Sequence, residues 1–70
     1  MNQVEIGQLI QQRRIGLSLK QEDLAEMTGI TTKTIYSIEN GKGNPSISSL
    51  NKLFEVLGLE MMVQVKILRE

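Results

Sequence analysis

The strongest constraint on the fold sits in the middle of the chain, where Gly29-Ile30-Thr31 separates two short segments that read as helices. Before the turn, about Lys20 or Gln21 to Thr28 places Leu24, Ala25 and Met27 among polar neighbours, with Glu22 and Asp23 in the first turn, where the helix dipole favours acids. After it, Thr32 to Glu39 carries Ile35 and Ile38 three residues apart on one side and Lys33, Thr34, Tyr36 and Ser37 elsewhere, with Thr31 as its N-cap. Helices this short are marginal alone and need tertiary packing. Gly29 suits a tight turn with a positive φ.

The remaining segments supply that packing. A first helix is expected from about Val4 to Ile15, with Val4, Ile6, Leu9, Ile10 and Ile15 as an imperfect stripe and Gly16 as its stop. Leu17 and Leu19 read as apolar pins in the connection, and Ser18 as a cap for the second helix. Asn40-Gly41 ends the third helix and opens a loop, Lys42-Gly43-Asn44-Pro45, dense in turn formers. A fourth helix follows from about Ile47 to Leu57, capped by Ser46, with Ile47, Leu50, Leu53, Phe54 and Leu57 at spacings of three and four, and Gly58 ends it. From Glu60 to Leu68 the pattern changes to period two: Met61, Val63, Val65 and Ile67 share one parity, and Met62, Gln64, Lys66 and Leu68 the other. That alternation predicts a strand. The expected division is therefore 1–59 as a helical domain and 60–70 as a strand and tail.

Composition narrows the chemistry. Seventy residues make one small domain, and the absence of cysteine and histidine removes disulfides, thiolate metal sites and the commonest general base. No metal site, cofactor or enzymatic activity is expected. Glu22, Asp23 and Glu26 read as dipole partners rather than metal ligands. The longest apolar run, Met61-Met62-Val63, is too short for a membrane span or a signal-peptide core. The chain opens at Met1 without an export signature and reads as a cytoplasmic protein complete in itself. Net charge is zero, which weighs against a nucleic-acid binder. From Gly29 to Phe54, however, Glu39 is the one acid against Lys33, Lys42 and Lys52, so one face is expected to be locally positive. Lys52 reads as solvent-exposed.

Two short helices joined by a glycine-containing turn form a helix-turn-helix unit, which lays its second helix in the major groove of DNA. The run Leu17-Ser18-Leu19-Lys20-Gln21-Glu22-Asp23-Leu24-Ala25, then Gly29-Ile30-Thr31, then Ile35-Tyr36-Ser37-Ile38-Glu39-Asn40-Gly41-Lys42 resembles the lambda repressor/Cro-type, or Xre, family. Asn44-Pro45-Ser46, Leu50, Leu53 and Leu57-Gly58 continue the likeness, which spans about residues 4 to 58. It implies a mainly α, four- to five-helix lambda-repressor-like DNA-binding domain. It assigns base contacts to Thr32, Lys33 and Ser37, to which Tyr36 adds a ring able to pack on sugar or a thymine methyl. Phosphate contacts fall to Gln21, Asn40, Lys42 and Asn44, with Lys20 and Thr31 beside them. Arg14 and Glu39 match a salt bridge tying the first helix to the end of the third. Lys20 departs from the family, which commonly has a capping Thr there.

A lone strand leaves its backbone unpaired, so the tail needs a partner. The economical partner is a second copy, paired antiparallel across a two-fold axis with Met61, Val63, Val65 and Ile67 covering the helical cores. A helical or disordered tail is the competing expectation. Such a homodimer would place two reading helices about 34 Å apart on a palindromic operator in double-stranded DNA. The domain with its short tail is similar to the HipB-like antitoxins, which implies an autoregulating repressor that also binds a HipA-like kinase toxin. A stand-alone phage-type or metabolic repressor, and a protein-interaction module that has lost DNA binding, remain as alternatives.

Overall fold

A computed structural model describes residues 1–67. Four helices form: α1 (Gln3–Gly16), α2 (Gln21–Thr28), α3 (Thr32–Glu39) and α4 (Ile47–Leu57). Each is started by a local device. Asn2 caps α1 reciprocally: its Oδ1 accepts from the Glu5 N–H at 2.9 Å, and Glu5 Oε1 accepts from the Asn2 N–H at 3.2 Å. Thr31 and Ser46 cap α3 and α4 by accepting from Thr34 N–H at 3.2 Å and Ser49 N–H at 3.0 Å. Helix α2 starts differently from expectation. Ser18 does not cap it; Ser18 is a left-handed turn residue, φ 59°, closing α1. Lys20 occupies the cap position, and the Asp23 carboxylate accepts its backbone N–H at 2.8 Å. An acid three residues into the helix thus does half the work of a capping box where the cap residue itself cannot accept.

The core gathers one or more side chains from every helix: Ile10, Leu24, Ile35, Ile38, Leu53, Phe54 and Leu57. Ile6, Leu19, Ala25, Ile30, Leu50 and Leu59 pack around it. Several expected core positions lie outside. Val4, Ile15, Leu17 and Met27 are exposed, and Ile47 is 67% exposed. The reason is geometric: short helices around one small core bury only the part of a stripe that faces the common centre. Ile47 in the first turn of α4 and Ile15 in the last turn of α1 lie beyond it.

Helix α1 meets the end of α3 at very close range, and Gly7 makes this approach feasible. A Cβ there would collide with the carbonyl oxygen of Ile38 and lie 3.0 Å from that of Glu39. Arg13 serves another joint, its Nε donating to the Leu57 carbonyl at 2.9 Å and closing the end of α4.

Beyond Gly58 the expected strand is absent: no strand occurs among the described residues, and residues 59–67 carry no regular structure. Met61 is 38% exposed, whereas Val63 and Val65 are each 93% exposed and Ile67 is nearly as open. A strand exists through ladder hydrogen bonds, and the described residues offer the tail no second strand. Leu68 lies outside the described residues.

Candidate nucleic-acid interface

The Gly29 turn sets the site. Helix α2 ends with Gly29 in the left-handed region at φ 75°, its N–H donating to the Ala25 carbonyl at 2.8 Å. Thr28 Oγ1 donates to the Leu24 carbonyl at 2.7 Å and accepts from the Ile30 N–H at 3.2 Å. The turn is therefore stitched at successive residues, and it delivers Thr31 as the cap of α3.

Along α3, Ile35, Ile38 and Glu39 are buried. At about 100° per residue, Lys33 and Ser37 project from the opposite side, with Tyr36 and Thr32 on one flank and Thr34 on the other. Tyr36 is exposed. The N–H groups of Thr32 and Lys33 have no intrahelical acceptor, as at any helix start, so this end carries open donors and the positive end of the dipole.

Two open clefts border this face. One is lined by Arg14, Leu19, Lys20, Gln21, Glu22 and Thr32, and joins the starts of α2 and α3. The other is lined by Lys33, Thr34, Ser37, Ile38, Lys42, Gly43, Asn44 and Pro45, and runs between α3 and the following loop. The sequence-predicted residues thus fall into two groups: Lys20, Gln21 and Thr32 at one edge; Lys33, Ser37, Lys42 and Asn44 at the other. Thr31, Tyr36 and Asn40 line neither cleft.

Internal bonds qualify several of these residues. Thr31 Oγ1 and Thr34 Oγ1 are hydrogen-bonded to each other at 3.0 Å, so both hydroxyls are engaged within the first turn of the helix. Asn40 Nδ2 donates to the Tyr36 carbonyl at 2.8 Å, leaving one amide hydrogen. Gln21 Nε2 donates to Glu39 Oε1 at 3.2 Å, which likewise leaves one N–H and fixes the direction of the carboxamide.

Glu39 anchors the arrangement. Arg14 Nε and Nη2 grip its carboxylate at 2.6 and 2.9 Å, and Arg14 Nη1 donates to the Leu19 carbonyl at 2.8 Å. The Glu39 side chain is fully buried. The hydrogen bond to Glu39 raises the Arg14 pKa above its ordinary value against the opposing effect of desolvation, with the charge of Glu39 adding to the rise. Among the described residues no buried side-chain polar atom lacks a partner. The pair also shapes the surface. The one acid between Gly29 and Phe54 is withdrawn and neutralised, so that stretch shows solvent only its lysines.

Two contributors escape sequence reasoning. Gln3 Nε2 donates to the Gly43 carbonyl at 2.7 Å, tying the start of α1 to the loop that carries Lys42 and Asn44. Thr34 lines the second cleft. Nothing in the pattern near Gln3 signals a contact forty residues away; Thr34 is discoverable by helical spacing from Lys33 and Ser37. Among the described residues no cluster of metal-ligating side chains occurs, and no helix is long and apolar enough to cross a membrane.

Known proteins share this arrangement. A helix-turn-helix family model matches residues 10–62. An uncharacterized HTH-type transcriptional regulator of Methanothermobacter thermautotrophicus is 39% identical over 62 residues, covering 89% of this chain and 90% of the relative. The HTH-type transcriptional regulator PuuR of Escherichia coli is 38% identical over 55 residues, which span 79% of this chain but 30% of PuuR. Among solved structures, the restriction-modification controller protein C.AhdI of Aeromonas hydrophila superposes with a TM-score of 0.76 at 32% identity, over 81% of this chain and 86% of the controller. With its turn, its caps and its two-sided α3 on the same frame as these proteins, the chain belongs to the Xre-type helix-turn-helix family of DNA-binding transcriptional regulators.

Proposed function

We propose that this chain is a sequence-specific repressor that binds a palindromic operator as a homodimer in the cytoplasm. The observation that carries the reading is the outward face of α3, bordered on both sides by clefts that hold lysines and amides while the segment's one acid is buried. Thr32, Lys33 and Ser37, with the Tyr36 ring beside them, read base edges; Lys20, Gln21, Lys42 and Asn44 hold phosphates on the two flanks. Thr31 and Asn40 support those flanks with what their internal bonds leave free. Residues 1–59 act as the reading domain and 60–70 as the dimerising segment. A selected operator should compete at least a hundredfold better than random duplex, and the Lys33→Ala/Ser37→Ala variant should lose that preference. Equal binding of this variant and the unmodified chain to the operator overturns the base-contact assignment; no binding to any duplex at low salt favours the interaction-module reading.

Dimerisation rests on the exposed apolar parity of Val63, Val65 and Ile67. Deleting 64–70 should convert a sedimenting dimer to a monomer, and an intact dimer after deletion excludes the tail. The same tail supports an antitoxin role, in which the dimer also holds a HipA-like kinase toxin and represses its own operon. A second reading, favoured by the likeness to C.AhdI, is control of a restriction-modification operon. Co-expression with the adjacent reading frame separates them: rescue from growth arrest by a kinase-like product supports the antitoxin.

A further inference from the structure

The tail carries information beyond its apolar parity. Leu59, Met61, Val63, Val65 and Ile67 alternate with Glu60, Met62, Gln64 and Lys66. At its root, Ile6, Leu9 and Phe54 line a largely apolar groove together with tail residues of both parities, Leu59 to Met62. Past the groove the apolar residues stand in solvent. The two charges of this stretch are opposite and lie three residues either side of Val63.

We propose that two copies pair antiparallel through this segment in one register, with the two-fold axis passing through Val63. Residues equally distant from the axis then face each other: Glu60 meets Lys66 of the second copy, twice by symmetry. Met61 meets Val65, Met62 meets Gln64, and Leu59 meets Ile67. Every pair joins residues of one parity, so Leu59, Met61, Val63, Val65 and Ile67 stay on one side, as a strand pair requires. Opposite charges placed directly across a strand pair attract, and like charges repel. Moving the axis to Gln64 sets Lys66 against Met62; moving it to Met62 sets Glu60 against Gln64. Each shift keeps the parity and loses both ion pairs, so charge selects among registers that hydrophobicity leaves equivalent. The sequence is thus complementary to itself, which is what an isologous interface demands.

This inference rests on the dimer reading and is tested apart from it. The chain has no cysteine, so single Met62→Cys, Val63→Cys, Gln64→Cys and Val65→Cys variants each present one thiol. A disulfide between copies needs near-contact of the two Cβ atoms, so oxidation should cross-link Val63→Cys fastest. Lys66→Glu should weaken the dimer roughly tenfold by sedimentation, and Glu60→Lys/Lys66→Glu should restore it to within about twofold. Fastest cross-linking at Met62→Cys, Gln64→Cys or Val65→Cys, or no rescue by the double exchange, overturns the register while leaving a tail-paired dimer in place. A sedimenting dimer that cross-links at no position overturns tail pairing altogether. A monomer in sedimentation removes the dimer reading and this inference with it. DNA binding, measured on the same variants, reports the reading of α3 separately.

Discussion

The two ends of α3 are built from one short stretch and do opposite things. The first turn is open: Thr32 and Lys33 are exposed, their N–H groups lack intrahelical acceptors, and a cleft borders them on each side. The last turn is closed: Ile38 and Glu39 are buried, Arg14 and Gln21 hold the carboxylate, and α1 touches the backbone through Gly7. A reading helix needs both ends. Side chains left open for a ligand cannot also be packed, so the helix must be oriented by its buried side chains, which here gather toward its last turn. Glu39 and Gly7 would therefore serve the proposed site as much as Lys33, acting through position.

This contrast can be broken at the closed end first. Glu39→Ala leaves the part-buried Arg14 guanidinium without its carboxylate and removes the anchor of Gln21. Loss of one partner of a buried pair costs about 3–5 kcal/mol, so the thermal midpoint should fall by more than about 10 °C. A midpoint within 2 °C of the unmodified protein would show that α3 is oriented by its apolar contacts alone. Gly7→Ala should follow, at about 1–3 kcal/mol, because the new methyl meets backbone that has no rotamer to change. Denaturant midpoints at constant m-value measure it; a neutral outcome would mean that α1 can back away from α3 without loss.

At the open end the effects should move from stability to recognition. Lys33→Ala should leave stability within about 0.5 kcal/mol yet remove about 1–3 kcal/mol of base discrimination, read by competition between the operator and a version altered at single base pairs. A large loss of stability would mean that the two ends are less separate than the burial pattern indicates. The smallest effect is expected at Gln3, whose bond to the Gly43 carbonyl is exposed. Gln3→Ala should cost no more than about 1 kcal/mol of stability and weaken binding to all duplexes a few-fold without altering base preference. Combined with Lys42→Ala the two losses should not add, because both act through one loop. Additive losses would separate Gln3 from the phosphate grip.

Much of this molecule is written locally. The helices appear where caps, glycines and apolar spacing place them: Thr31 and Ser46 cap α3 and α4, and Gly29 turns the chain between α2 and α3. These signals act within a few residues, so a sequence carries them in full. Family likeness pairs Arg14 with Glu39, since no local rule links positions so far apart. The start of α2 escaped because Asp23, rather than a cap residue, accepts the orphan N–H. Ile47, Ile15 and Met27 are exposed, which spacing does not reveal: it identifies a stripe but not how much of it the neighbouring helices cover.

The reading helix shows the same division. The sequence by itself determined that Thr32 to Glu39 is a helix with Lys33 and Ser37 opposite Ile35 and Ile38, because that follows from helical period alone. Tertiary structure decided the rest: that Glu39 is withdrawn from the surface, that Gln21 and Asn40 each spend a donor internally, that Gly7 admits α1, and that Gln3 holds the far loop. Each of these depends on distances between segments far apart in the chain, which packing sets and periodicity does not encode. The tail carries the argument one level further. Its alternation is plain in the sequence, yet no strand forms among the described residues, because a strand needs ladder hydrogen bonds that alternation alone does not supply.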